Sequence, residues 1–462
     1  MAVLAIIFAA LSLLRPLDHD ESQYVAAAVL TARGLLPYRD YAYLQTPLQP
    51  FLFAPVALLS GEWTWPALRL VNALMGAVAV GCVGGAARAA GASPRHAMMA
   101  AGLFAACDVL LFSIGTARND ALPCALYAAA LWLMVRGRTH PVDLAAIGLL
   151  LTAAAAAKIS YALPVATYGA LMLGRARRLP WLIAGALPVV MLVAWTLWLA
   201  PAGFLFGTLR FPSEAPSQYY LAIGRPWKLT MLVKALDTLK FVALGPALLA
   251  LAAIVIRRPA RPTALDALIL AGLLSALLPS PTWRQYLLPM LPPLFVRAAQ
   301  LWRRRPPMRL ERIVGVVLVC AGLAPSAAAI TGGESPIAGA MRQSRAVAAA
   351  LARTGAGHGE VATLSPQFLP GAGLVPDPRF AAGPFFFRSS GLLSPRAEES
   401  LHLVSRARIA AAPLPAIVLV GGEGRWTSGD GQLDAVMEQA ARTRGYRPVA
   451  VADSRPRAWV RP

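Results

Sequence analysis

Acid is scarce in this chain. Of 462 residues only 22 are Asp or Glu, against 43 Lys or Arg, and charged residues together make up 14%. With 57% hydrophobic residues and a positive mean hydropathy, that scarcity excludes an ordinary soluble domain. Cysteine is also rare. Cys82, Cys107, Cys124 and Cys320 all sit in apolar segments, with no spacing suited to zinc or redox chemistry, so each reads as a small buried hydrophobe. None falls in the C-terminal part, so no disulfide braces it. His19, His96, His140, His358 and His402 are scattered, which argues against a histidine-built metal site. Neither asparagine, Asn72 or Asn119, lies in a glycosylation sequon. Internal repeats are lacking as well.

Long apolar runs are abundant. A membrane-crossing helix needs about 20 apolar residues, and roughly eleven segments approach that length. They lie near 2–14, 65–87, 97–114, 120–136, 142–157, 160–174, 181–199, 238–256, 264–279, 285–301 and 312–330. The first is short, with no cleavage site before Arg15, and reads as the first membrane helix. The expected fold class is a polytopic α-helical membrane protein of about 11 transmembrane helices, over 1–330, with a small soluble α/β domain over 331–462.

The net charge of +21 would suit nucleic acid only if it covered one soluble face. Instead the bases fall in five clusters at every second connection. These are Arg88 with Arg95, Arg136 with Arg138, Arg175 with Arg177 and Arg178, Arg257 with Arg258 and Arg261, and Arg303 to Arg305 with Arg309 and Arg312. That is a positive-inside pattern. It predicts cytoplasmic loops at 88–96, 136–141, 175–180, 257–263 and 302–311, and a cytoplasmic N-terminus. The outward side then holds the loop 15–64, the connections around Asp120, Lys158, 200–237 and Arg284, and the whole C-terminal domain.

Within the first outer loop, Ser22 to Arg33 reads as an amphipathic helix stopped by Gly34 and Pro37. Pro47 to Leu59 reads as a helix lying in the membrane interface. The second loop carries Arg210, Glu214, Tyr219, Tyr220, Arg225, Trp227, Lys228 and Lys234. Such a mixture suits an aromatic belt, and equally a phosphate head group bearing a sugar. Beyond residue 331, strands are expected at Glu360 to Leu364 and Ala416 to Val420, with helices at 398–410 and 432–444. Gly421-Gly422-Glu423-Gly424 follows a strand, but its glycine order departs from a phosphate-binding fingerprint.

Against this apolar background Asp18-His19-Asp20-Glu21 stands out. Ionisable groups beside hydrocarbon are expensive and tend to mark function. A helix cap would need only one such residue. Three further features fall on the same side: Arg118-Asn119-Asp120, Lys158, and Thr282-Trp283-Arg284-Gln285-Tyr286. Singly, Asp120 reads as a cap, Lys158 as a snorkelling lysine and Arg284 as a contact to lipid phosphate. Together they suit a substrate with a phosphate and a hydroxyl to activate.

Asp18-His19-Asp20-Glu21-Ser22-Gln23-Tyr24, then Gly34-Leu35-Leu36-Pro37-Tyr38-Arg39-Asp40 and Pro47-Leu48, resembles the first loop of GT-C type glycosyltransferases. The nearer branch is that of protein mannosyltransferases and the lipid A aminoarabinose transferase. Arg118-Asn119-Asp120 is similar to that branch's Arg-x-Asp, and Arg284 to Pro289 with Pro292-Pro293 to its motif near the last spans. The resemblance covers about 1–330. It implies transfer of a sugar from a polyprenyl-phosphate carrier to an acceptor hydroxyl, with inversion, at the outer face of a bacterial cytoplasmic membrane. It implies Asp20 as general base, with Glu21 as alternative and Asp120 as a further acid. Arg118, Lys158, Arg284 and Tyr286 would hold the donor phosphate, and no metal is called for. Where the aminoarabinose branch has a Lys-Pro pair, this chain has Gln45-Thr46-Pro47, which leaves the sugar open. The acceptor, whether glycan, lipid or protein, is also open. A flippase of lipid-linked sugars would show matched broken helices in two halves, and a ligase or polymerase would lack the paired first-loop acids.

Overall fold

The computed structural model describes residues 1–257, 261–331, 335–355, 359–389, 391–423, 430–451 and 457–462. Arg258, His358 and Gly424 lie outside these described residues. Helices α1 to α10 run Ala2–Leu14, Glu21–Ala32, Leu48–Ser60, Thr64–Ala89, Pro94–Ala105, Asp108–Ile114, Ala121–Arg136, Pro141–Ala157, Ala162–Leu173 and Leu179–Leu199. Then come α11 (Pro201–Leu205), α12 (Phe211–Ala222), α13 (Met231–Ala243), α14 (Ala247–Arg257), α15 (Ala264–Leu277), α16 (Leu291–Arg304), α17 (Arg309–Ile330) and α18 (Pro336–Ala352).

Their limits follow local chemistry. Pro94 and Pro141 open α5 and α8, where a missing N–H costs nothing. Gly137, at φ 69°, closes α7. A reciprocal Thr263–Asp266 cap starts α15.

Among the described residues, three helical stretches are long and apolar enough to cross a bilayer, or five if two sharply bent pairs each count as one span. Five shorter apolar helices stand beside them, and two of the eleven expected runs are broken. The run 97–114 is two helices, α5 and α6, bent by 63°. The run 238–256 is α13 and α14, bent by 100° about Gly245 and Pro246. Gly245 sits at φ 144°, open to glycine alone. A Cβ there would lie 3.4 Å from the Cα of Cys107, so the two breaks pack against each other. Nothing in hydropathy marks such a break, because both arms stay apolar.

The outer surface is apolar. The apolar stretches of α10 and α17 are only 17% buried, and Trp198, Leu187, Val316 and Val317 point outward. Exposure on this scale is what a helix facing hydrocarbon shows. At one end the basic connections gather. Arg303 donates to Gly91 O, Arg257 pairs with Glu311 at 2.7 Å, and Arg297 bonds Asp266 at 2.9 Å.

At the other end sits a five-stranded mixed sheet in the order β2-β1-β3-β5-β4. The strands are β1 (Glu360–Ala362), β2 (Val375–Pro376), β3 (Ile417–Val420), β4 (Arg447–Val449) and β5 (Arg457–Val460). β1 runs parallel to β2 and β3, and β5 lies antiparallel between β3 and β4. The expected helix 432–444 is present as Gly431–Thr443. The expected helix 398–410 stops at Ser400, because His402 takes φ 52° and the Leu403 N–H closes the turn on Glu398 O.

Helix α2 is not amphipathic. Nine of its twelve residues are buried, since α3 and α4 cover one side and β2 with residues 366–368 the other. The sheet domain and the first loop share one core, with Phe368 against Trp65 at 5.2 Å and Ile337 and Ala340 among the same apolar cluster.

Candidate active site

Asp18-His19-Asp20-Glu21 forms a tight turn into α2. Asp20 occupies the N-cap position but makes no side-chain cap bond. Its carboxylate pairs instead with Arg118, and with His19 Nε2 at 3.1 Å. The side chain is 20% exposed, enough to meet a substrate. Asp18 accepts from Arg118 at 3.4 Å. Burial opposes charge on Asp18, but Arg118 and then His19 outweigh it and hold that carboxyl below the usual carboxylate range.

Glu21 has another task, and its expected exchange with Asp20 as base is corrected by its surroundings. It is fully buried. Its oxygens accept from Arg69 Nε at 2.7 Å, Arg69 Nη2 at 2.5 Å, Trp65 Nε1 at 2.9 Å, the Ala117 N–H at 2.7 Å and the Asp18 N–H at 3.0 Å. Arg69 also donates to the carbonyls of Ser12, Arg15 and Pro16. This lock ties α1, α2, α4 and the 115–120 turn together and leaves Glu21 no lone pair facing a substrate.

Asn72 on α4 holds that turn through the carbonyls of Thr116 and Arg118, each at 2.7 Å. Asp120 is fully buried and makes no side-chain cap bond to α7. It pairs with Arg118 at 3.1 Å and with Lys158. Lys158 is 5% exposed, so it does not snorkel. Its Nζ lies 5.7 Å from the Tyr286 ring and 3.4 Å from Asn119 Oδ1. Asn119 Nδ2 in turn reaches Gln45 Oε1 at 3.3 Å.

Arg284 pairs with Asp108 at 2.9 Å and stacks on Phe112 at 3.6 Å. Arg118 and Arg15 each approach the same ring at 5.2 Å. Three guanidinium groups thus surround one phenyl ring, an arrangement that suits an anion between them. Burial, then the neighbouring Arg284, pushes Arg15 down to about 10.

Sequence reasoning named Asp20, Arg118, Asp120, Lys158, Arg284 and Tyr286, and the fold brings them together. It missed Arg15, Arg69, Asp108 and Phe112. Arg15 and Arg69 carried a usable signal, as isolated charges beside apolar runs. Asp108 carried the same signal, as a lone acid inside the expected span 97–114; Phe112, an apolar residue in an apolar run, carried none. Among the described residues, Asp18, His19 and Asp20 bring ligand-type atoms within 4.8 Å of one another, but the Arg118 guanidinium already meets both carboxylates there.

The sheet domain roofs this end. Phe385 stacks on His19 at 5.5 Å, and Arg388 lies over Tyr219 at 4.7 Å and Phe385 at 5.2 Å. Gly383, at φ 58°, comes so close that a Cβ would stand 2.3 Å from Ser22 Oγ. From the second outer loop Arg210 donates to Leu392 O at 3.0 Å.

This architecture matches a solved structure. ArnT from Cupriavidus metallidurans in the apo state matches 99% of this chain and 96% of its own, with TM-score 0.54 and 16% identity. The chain has the ArnT fold. The same protein bound to undecaprenyl phosphate matches 96% of this chain and 87% of its own, with TM-score 0.51 and 17% identity. The S. cerevisiae protein O-mannosyltransferase Pmt1-Pmt2 complex bound to the sugar donor covers 49% of this chain and 33% of its own, at 20% identity and TM-score 0.33, too low to weigh. No protein-family model matches the chain, and no curated protein matches it by sequence.

Proposed function

We propose that this chain is a membrane glycosyltransferase that moves a sugar from a polyprenyl-phosphate carrier to an acceptor hydroxyl at the outer face of a bacterial cytoplasmic membrane, inverting the anomeric carbon. One observation carries the reading. A partly exposed carboxylate, Asp20, stands beside Arg118, which leads to the arginine-ringed Phe112. That supports the reading of a base next to a site for a phosphate.

In the transfer, Asp20 takes the acceptor's O–H proton. The freed oxygen attacks the anomeric carbon from the face opposite the phosphate, and the bond from that carbon to the phosphate oxygen breaks. The pair of electrons leaves with the polyprenyl phosphate. Arg118, Arg15 and Arg284 meet its growing charge, Lys158 adds a further cation, and Tyr286 donates a hydrogen bond. These cations fill the role a metal would otherwise serve, so the reading assigns none. Asp120 orients Arg118 and Lys158 rather than touching substrate.

The test is a reconstituted assay with a purified polyprenyl-phosphate sugar. Release of free polyprenyl phosphate coupled to acceptor labelling supports transfer. Translocation of an intact donor, or no reaction with any such donor, would overturn it. Mass spectrometry of envelope glycans with and without the protein then names the sugar and the acceptor.

A further inference from the structure

At the end of the bundle away from Asp20, a cavity of about 220 Å³ opens between the ends of α7, α8, α9, α15 and α16. Its depth is apolar, formed by Leu144, Ile147 and Leu268. Its mouth carries Arg138, Arg175 and Arg178, drawn from two different connections. Arg138 and Arg175 are exposed and Arg178 half-buried. Among the described residues no carboxylate pairs with any of the three, and the nearby Asp266 is taken by Arg297 and Thr263. Three unneutralised guanidinium groups around one opening repel one another, and a shared anion relieves that repulsion.

We propose that this cavity binds the phosphodiester head group of an anionic membrane lipid, with the start of its acyl chains in the apolar depth. A free phosphate would satisfy the arginines yet leave the half-exposed Met134 and Val135 in the cavity wall uncovered. A zwitterionic lipid would bring its own cation to a mouth that already has three. Basic pockets between membrane helices on the cytoplasmic side bind such head groups by this combination of charge and hydrocarbon. The proposal rests on the membrane reading of the chain and is independent of its transferase activity.

Native mass spectrometry of the purified full chain in detergent tests it, with phosphatidylglycerol, phosphatidylcholine and inorganic phosphate as separate probes. Phosphatidylglycerol should bind saturably and be retained over phosphatidylcholine. The triple variant Arg138→Gln, Arg175→Gln, Arg178→Gln should weaken it roughly a hundredfold, at about fivefold per arginine. A charge-matched control, Arg304→Gln, Arg305→Gln, Arg309→Gln, should retain it. All six positions are exposed or half-buried, so both proteins should fold. Equal binding of both lipids would overturn the proposal. So would equal loss in the control, or displacement of the lipid by millimolar phosphate. A reporter fusion at Gly137 reads the sidedness separately, so a wrong topology and a wrong ligand give different results.

Discussion

Asp20 and Glu21 are neighbours in sequence and differ in every physical respect. Asp20 keeps part of its surface open and one strong cationic partner, whereas Glu21 is saturated with donors in a fully buried pocket. Asp20→Asn should therefore lower turnover by about 10²–10⁴-fold while donor affinity changes far less. Glu21→Gln should instead strike stability. It leaves Arg69 buried without its counter-charge, a loss of about 3–5 kcal/mol for a broken buried pair, visible as a large drop in thermal unfolding temperature. Normal turnover in folded Asp20→Asn protein would sink the mechanism. Arg15→Ala removes one of three cations that meet the leaving phosphate and should lower kcat as well as raise the donor KM. Unchanged kcat and KM in folded Arg15→Ala protein would place Arg15 outside the site.

At the scale of elements, the decisive contact is that between α2 and the segment 383–388. Gly383→Val would drive a side chain into Ser22 Oγ and separate the roof from the first loop. Acceptor transfer should fall while polyprenyl-phosphate binding, measured by titration, persists. The same domain carries a pH-sensitive group. Burial, and then the neighbouring Asp434, raises the Glu423 carboxyl to about 8, while Ser365 and Arg388 pull the other way and Asp20 adds to the rise. The folded state thus holds a proton that the unfolded chain releases near 4.5. The stability this group contributes is full below about pH 4.5 and is lost as pH climbs through 8. Glu423→Gln mimics the neutral acid, so it should flatten the fall in unfolding temperature between pH 5 and 9 and leave the variant the more stable by a few degrees at pH 9. Parallel pH curves for the two proteins would refute this.

For the molecule as a whole, five basic connections collect at one end and the acidic turn at the other. Reporter fusions at Gly137 and after Pro462 should accordingly report opposite sides of the membrane. The same side for both would mean that the number of crossings between them is even, and would overturn the outward placement of the acidic turn that this domain roofs. A roof that shares its core with α2 also predicts that the domain cannot be removed cleanly. Its loss uncovers Trp65, Ile337 and the apolar side of α2.

Hydropathy and charge spacing alone determined the class of this protein, because apolar length and the side on which arginines fall are properties of a linear string. The acidic turn and the Arg118-Asn119-Asp120 run were legible for the same reason, as charges no hydrocarbon environment tolerates by chance. Only the tertiary structure separated Asp20 from Glu21, since burial and donor count depend on what packs against each. It alone revealed the bend at Cys107 that turns Asp108 and Phe112 toward Arg284, for a break inside an apolar run leaves no mark on hydropathy. And it alone showed that α2 is buried on both faces, because the domain that covers its second face is encoded more than three hundred residues away.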